Sequence, residues 1–372
     1  MKTDKISNRF FVLVSAIIGI CCITFALPCH AGDADKTALK AYELRIQGKI
    51  DEAKRLLDQA ISENPDNACA HYELARIQFH VALGTGNIGE TMSMIGNAQK
   101  SIDKATALEP QKSIYHLFAG HVYYIQAYYG LMTGNKSKEQ LAKVVGAYKT
   151  VLSIRPDYPQ AALYLVELYS QFPEDAGGNE AEAERYAKHL DETDNVFAAK
   201  ARSILLPQDT DKVEYWQNVL NKHKGNADVL EELGKAYLGA GKVEDAVSYF
   251  EKAIKIDPEK VYLFLDLSIY YTFQGMKARG DKELLQSSIE KGDAAVTRYL
   301  RSNPIQPMRA YALGVQAKYN VFSGHQEEGQ ALIKEAMMLD PYFSKATGAP
   351  DPVLFTRPDE ISQRHRYLMR PF

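Results

Sequence analysis

The chain has 372 residues, 46% of them hydrophobic and 24% charged, with a formal net charge of −3. That size allows a large core and, by length alone, two domains, while the near-balanced charge gives no basic footprint for nucleic acid or anionic lipid. Twenty-three tyrosines stand against a single tryptophan, and they gather on predicted helices.

Lys2, Lys5 and Arg9 make a basic start, and Phe10 to Leu27 is apolar apart from Ser15 and Thr24. Cys29-His30-Ala31 followed by Gly32 puts small residues where a signal peptidase reads, so residues 1–31 are expected to be an export signal. An uncleaved anchor is the alternative, since the apolar run lies at the lower edge of a membrane span. A lipoprotein signal fits poorly, because Ile20 and Pro28, ahead of the candidate cysteines, are not small. Cleavage after Ala31 would leave Cys69 as the one cysteine of four, which excludes an internal disulfide and a cysteine-based metal site. Cys69, at a helix start, reads as a small apolar filler. The expected location is periplasmic or otherwise extracytoplasmic.

From there the chain reads as helix pairs. Ala41, Leu44, Gly48, Ala53, Leu57, Ala60 and Pro65 fall at helical spacing, with a glycine between two helices and a proline as the stop. A second unit ends on Ala98, Ile102, Ala105 and Pro110, and a third on Val144, Tyr148, Val151 and Pro156. Gly84-Thr85-Gly86-Asn87-Ile88-Gly89 matches G-x-G-x-x-G letter for letter. A dinucleotide site needs a strand before that run, and here a helix, Tyr72 to Leu83, precedes it, so the run is expected to be an inter-helix loop. A fourth unit starts at Pro159 and is interrupted by Phe172-Pro173 through Gly177-Gly178, after which Asn179 is an N-cap candidate. A fifth, Phe197 to Leu206 and then Val213 to Leu220 around Trp216, is short and imperfect.

The pattern is fullest in Ala227–Pro258. Leu230, Leu233, Gly234 and Tyr237 share one helix face, Gly241 ends that helix, and Ala246, Phe250 and Ala253 share a face of the next. Gly234 and Ala246 are expected to touch, with Leu233, Tyr237 and Phe250 filling the space around them. This stretch resembles the tetratricopeptide repeat (TPR) family, whose period is about 34 residues. A seventh unit runs from Val261 to Pro304 and an eighth ends at Ala336 and Pro341. The stops at Pro65, Pro110 and Pro156 lie about 45 residues apart, so the second and third units are expected to carry helices longer by about a turn and a half. The fold expected is all-α, a right-handed superhelical solenoid of about eight such pairs over residues 32–343. Residues 344–372 follow as a C-terminal segment, in which Val353-Leu354-Phe355 is a short apolar run between prolines and Asp359 to Met369 a last helix. That segment is either a cap on the exposed end of the array or a tail folded back into its groove.

The resemblance implies that the first helix of each pair lines a concave groove. The inward positions are then Cys69, Tyr72, Arg76, Phe79 and His80 in the second unit, and Ile114, Leu117, His121, Tyr124 and Ile125 in the third. The seventh gives Tyr262, Leu265, Ile269, Thr272 and Phe273, and the eighth Tyr311, Lys318, Val321 and Phe322. The sixth gives the charged Asp228, Glu231 and Lys235. Aromatic anchors with a few basic groups suit peptide recognition. Tyr123 and Tyr271 fall on the family's core position. The carboxylate clamp known in the family wants Lys and Asn where this chain has Ala38 and Tyr42, so that function is not implied.

No H-E-x-x-H or G-x-S-x-G occurs, and neither His71 with His80 nor His116 with His121 has the spacing of a metal pair on one helix face. The expected function is therefore a non-catalytic scaffold of the cell envelope, with no cofactor and no metal. Its expected partner is another envelope protein or a peptide segment, with no nucleic acid, and with membrane contact only through an uncleaved signal. A periplasmic small-molecule or lipid carrier associated with a transporter is the alternative.

Overall fold

The computed structural model describes residues 33–343 except 86, 135–137, 194 and 279, together with 354–355 and 357–358. The expected export signal and the expected last helix lie outside the described residues. Among those described there are sixteen α-helices and no strand: α1 (Asp33–Ile46), α2 (Ile50–Glu63), α3 (Ala68–Leu83), α4 (Ile88–Leu108), α5 (Ser113–Met132), α6 (Lys138–Ile154), α7 (Pro159–Gln171), α8 (Glu180–Thr193), α9 (Asn195–Leu205), α10 (Lys212–Lys222), α11 (Ala227–Gly239), α12 (Val243–Ile256), α13 (Leu263–Lys277), α14 (Lys282–Leu300), α15 (Gln306–Phe322) and α16 (Gln326–Leu339). The all-α solenoid class is as expected: successive helices pack as pairs, and neighbouring pairs touch within each of two compact units.

The chain divides between Leu206 and Pro207 into two compact units. The first holds α1–α9 with residues 354–355 and 357–358; the second holds α10–α16. The imperfect fifth pair is divided by this boundary. Helix α9 packs on α7 and α8, whereas α10 packs on α11. Pro207 cannot continue α9, and Asp211 starts α10 by accepting from the Val213 and Glu214 amides. Trp216 of α10 is buried.

The α11–α12 pair shows how the repeat is held. Asn226 caps α11 through the Asp228 and Val229 amides. Gly241 at φ 74° closes it, its amide bonding Leu238 O and the next amide, of Lys242, bonding Tyr237 O. That left-handed residue favours glycine, and the bond pair is a Schellman closure. A methyl group on Gly234 would sit 2.6 Å from the Phe250 ring, so the two helices approach as closely as the sequence suggests. Leu233, Ala246 and Phe250 are fully buried; each large side chain there contributes about 1.5–3 kcal/mol.

The longer units lengthen as expected. Helices α3 and α4 have 16 and 21 residues, against 13 and 14 in α11 and α12. The described residues of the G-x-G-x-x-G run form the turn after α3 and the first residues of α4, where Asn87 caps α4 through the Glu90 amide at 3.1 Å and Thr85 Oγ1 meets Thr91 Oγ1 at 2.8 Å. In the fourth pair, α7 stops at Gln171, a 3-10 turn spans Glu174–Ala176, and Asn179 accepts from the Glu182 amide. Within the first unit, α2 buries one stripe only, Ile50, Ala53 and Leu57, as an outer amphipathic helix should. Helix α3 is buried nearly all round, and its buried residues include Glu73, Arg76 and His80.

Candidate recognition groove

Tyr72, Arg76, Phe79 and His80 share one face of α3 by their spacing of four, seven and eight residues. Beside them, Tyr42 and Arg45 come from the last turns of α1, which packs on α3. Arg45 Nε donates to Glu73 Oε1 at 2.7 Å, and Arg76 Nη1 lies 3.1 Å from Glu73 Oε2, with all three side chains fully buried. Two guanidiniums thus share one carboxylate. Burial pushes the Arg45 guanidinium down from its ordinary value; Glu73 opposes that shift and Arg76 adds to it. The Arg76 guanidinium stands 5.2 Å from the Tyr72 ring centre and 5.6 Å from that of Tyr42, within cation–π range. Burial raises the Tyr72 hydroxyl to about 12, so it is a neutral phenol at any physiological pH.

This cluster holds a piece of the C-terminal segment. Arg76 Nη2 donates to Leu354 O at 2.7 Å, and the Tyr42 hydroxyl donates to Phe355 O at 3.0 Å. The Phe355 ring lies 5.9 Å from the Arg45 guanidinium and meets His80 edge-on at 6.4 Å. Both Leu354 and Phe355 are completely buried. Leu354 and Phe355 are thus held by side chains of α1 and α3. Both terminal nitrogens of Arg45 lack a hydrogen-bond acceptor among the described residues.

The other expected groove residues divide by exposure. Leu117, His121 and Tyr124 on α5 are buried. His121 Nδ1 lies 2.9 Å from Leu117 O and 3.1 Å from the Tyr148 hydroxyl, and its ring meets Tyr164 edge-on at 5.2 Å. Tyr124 stacks on Tyr128 at 6.1 Å and meets Phe172 at 6.4 Å; burial drives its hydroxyl well above the usual range. Phe79 packs on Phe118 at 5.5 Å. These side chains fill space between helices. Tyr123 and Tyr271, assigned to the core by the family pattern, are only half-buried, and the Tyr123 hydroxyl donates to Asp103. The two neighbours on α5 have exchanged the burial expected of them. Cys69 is half-buried, its Sγ 3.1 Å from the Tyr115 hydroxyl.

In the second unit Tyr262 is buried and donates to Glu231 Oε2 at 2.8 Å. Lys260 Nζ lies 2.6 Å from both Asp228 and Glu231, and Lys235 pairs with Glu231. Ile269 is buried, Phe273 half-buried, Lys318 exposed, and Phe322 exposed at 66%. The expected groove residues are thus divided between the two units. Tyr72, Arg76, Phe79 and His80 stand together on α3. What sequence reasoning missed there was Tyr42, Arg45 and Glu73. The first two sit on the inward face of α1 by the same register that picked out Arg76, so the pattern could have found them.

Comparison with known proteins agrees with the helix pairing. Tetratricopeptide repeat profiles match residues 44–81 and residues 227–260. The TPR repeat-containing protein YpiA of Bacillus subtilis (strain 168) is 23% identical over 243 residues, which is 55% of this chain, and the match spans 53% of YpiA, about half its length. Among solved structures, a tetratricopeptide repeat protein from Parabacteroides merdae aligns at a TM-score of 0.40 with 16% identity, over 80% of this chain and 100% of that one. The human IFIT1 dimer with m7Gppp-AAAA aligns at 0.37 with 16% identity, over 84% of this chain and 69% of that one.

Proposed function

From its membership of the tetratricopeptide-repeat family, we propose that this chain is a non-catalytic scaffold of the cell envelope that grips a partner polypeptide segment in the groove of its first unit. The family's fold serves protein interaction in general. The observation that supports the finer reading is the seat formed by Tyr42, Arg45, Glu73, Arg76 and His80. It takes two successive main-chain carbonyls and an aromatic ring from a segment that belongs to no repeat. Recognition of main-chain carbonyls gives affinity to any suitably shaped peptide, and the ring pocket adds selectivity. Envelope location rests on the basic, apolar and small-residue order of residues 1–32. Among the described residues no helix is long and apolar enough to cross a membrane.

The reading is tested by placing a photoreactive phenylalanine at position 42 of the full chain and irradiating it in its native envelope. A crosslinked polypeptide, mapped by mass spectrometry to one defined segment, is the expected product. Crosslinks to lipid or small molecules instead would replace the scaffold with the carrier reading. N-terminal sequencing of the mature protein is expected to begin at Gly32; an intact Met1 would make the segment an anchor.

A further inference from the structure

The charged part of the seat is held within the first two repeat pairs. Arg45, Glu73 and Arg76 fix one another inside the first two repeat pairs, and residues 354–355 add only carbonyl and ring contacts to that arrangement. Pro350, Pro352 and Pro358 bracket the pair in the sequence; prolines so placed limit the freedom that a segment loses on docking. As a ligand it is incomplete. It gives Arg76 and Tyr42 their acceptors, yet it offers the fully buried Arg45 only a ring face. Both terminal nitrogens of Arg45 remain without an acceptor among the described residues. An ionic acceptor in that place would meet a buried, underused guanidinium fork, the geometry in which carboxylates bind best.

We propose that residues 354–355 are a resident stand-in for a partner, and that the seat recognises an aliphatic–aromatic pair flanked by an acidic side chain, which enters by displacing this chain's own pair. The proposal rests on the scaffold reading and specifies its site. The partner's carboxylate engages Arg45, its two carbonyls replace those of Leu354 and Phe355, and its ring takes the place of Phe355 against His80. The tail therefore sets a threshold. A peptide with the pair alone competes against a tethered copy of itself, whereas one with the added carboxylate gains a charged bond that the tail does not make.

The test uses the full chain and synthetic peptides covering residues 350–358, read by fluorescence anisotropy. The Phe355→Ala chain, its ring pocket vacated, is expected to bind the unmodified peptide at least about tenfold more tightly than the unaltered chain does. Peptides with Glu in place of Val353 or Thr356 should include one that binds either chain about tenfold more tightly than the unmodified peptide. Equal binding of the unmodified peptide to both chains overturns the stand-in role; no gain from either Glu peptide overturns the acidic preference. Should Phe355→Ala fail to fold, 4-fluorophenylalanine at position 355 keeps the packing. Its fluorine resonance is expected to move to that of an exposed ring as the tighter Glu peptide saturates, and an unmoved resonance defeats the proposal. A partner trapped from position 42 with no peptide binding would sink this inference and leave the scaffold standing. Peptide binding with no trapped partner would do the reverse.

Discussion

In the second unit, Glu231 on α11 is met by Lys235 one turn on, and by Lys260 and Tyr262 from the segment that leads into α13. In the first unit, Glu73 on α3 is met by Arg45 and Arg76, and the surplus guanidinium capacity turns outward to Leu354. Both clusters sit on first helices of repeat pairs, and both bury their charges. The difference is sign and closure. Where the acid meets one lysine of its own helix and another from the adjoining repeat, the groove face is used up in holding those repeats together. Where one acid serves two arginines, the face keeps donors for a segment from elsewhere. A buried ion cluster in such an array is thus a binding feature only when its own repeats leave it short of acceptors.

The largest effect should come from Glu73→Ala, which leaves two buried guanidiniums without their carboxylate. A loss of about 3–5 kcal/mol is expected in chemical unfolding, confined to the first unit when followed by hydrogen exchange. Tyr124→Ala should be similar, about 3–5 kcal/mol for a buried aromatic, while Phe273→Ala in the second unit should cost about 1 kcal/mol. Equal melting shifts for the two would erase the difference in burial between them. Ala246→Leu overpacks the pair closed by Gly234 and Phe250 and should cost about 1–3 kcal/mol; an unchanged Tm would mean those helices do not approach as described. The smallest effect is Tyr42→Phe. It removes one hydroxyl from Phe355 O and should cost about 0.5–1.5 kcal/mol, visible as faster amide exchange near residues 354–355 with the global Tm almost unmoved.

The helix pairs were legible because their cause is local. Gly234, Gly241, Ala246 and Pro258 each satisfy a steric demand within one repeat, and sequence spacing reports such demands directly. The loop at Gly84–Gly89 was legible for the same reason, since a helix before it excludes the strand that a nucleotide site requires. The fifth pair was not, because α9 and α10 each follow the neighbours on their own side, a choice decided by packing and not by period. The groove was half legible. Helical register picked out Arg76 and His80, but nothing in the spacing shows that Tyr124 would be covered while Tyr123 stays half-open. The apolar run at 353–355 was visible, whereas its destination was not. Its partners lie about three hundred residues away, and no local rule connects them.

That distance has a consequence in time. Tyr42 and the residue whose carbonyl it holds are 313 positions apart, and a ribosome adds about 5–20 residues each second. The first repeats are therefore complete for roughly a quarter of a minute to a minute before Phe355 exists. Throughout that interval the nascent chain has no occupant of its own for the seat. A partner or chaperone that meets the protein during synthesis competes with nothing, while one that arrives later must evict a tethered rival. The order in which the chain is made thus gives newborn and finished molecules different thresholds for the same site.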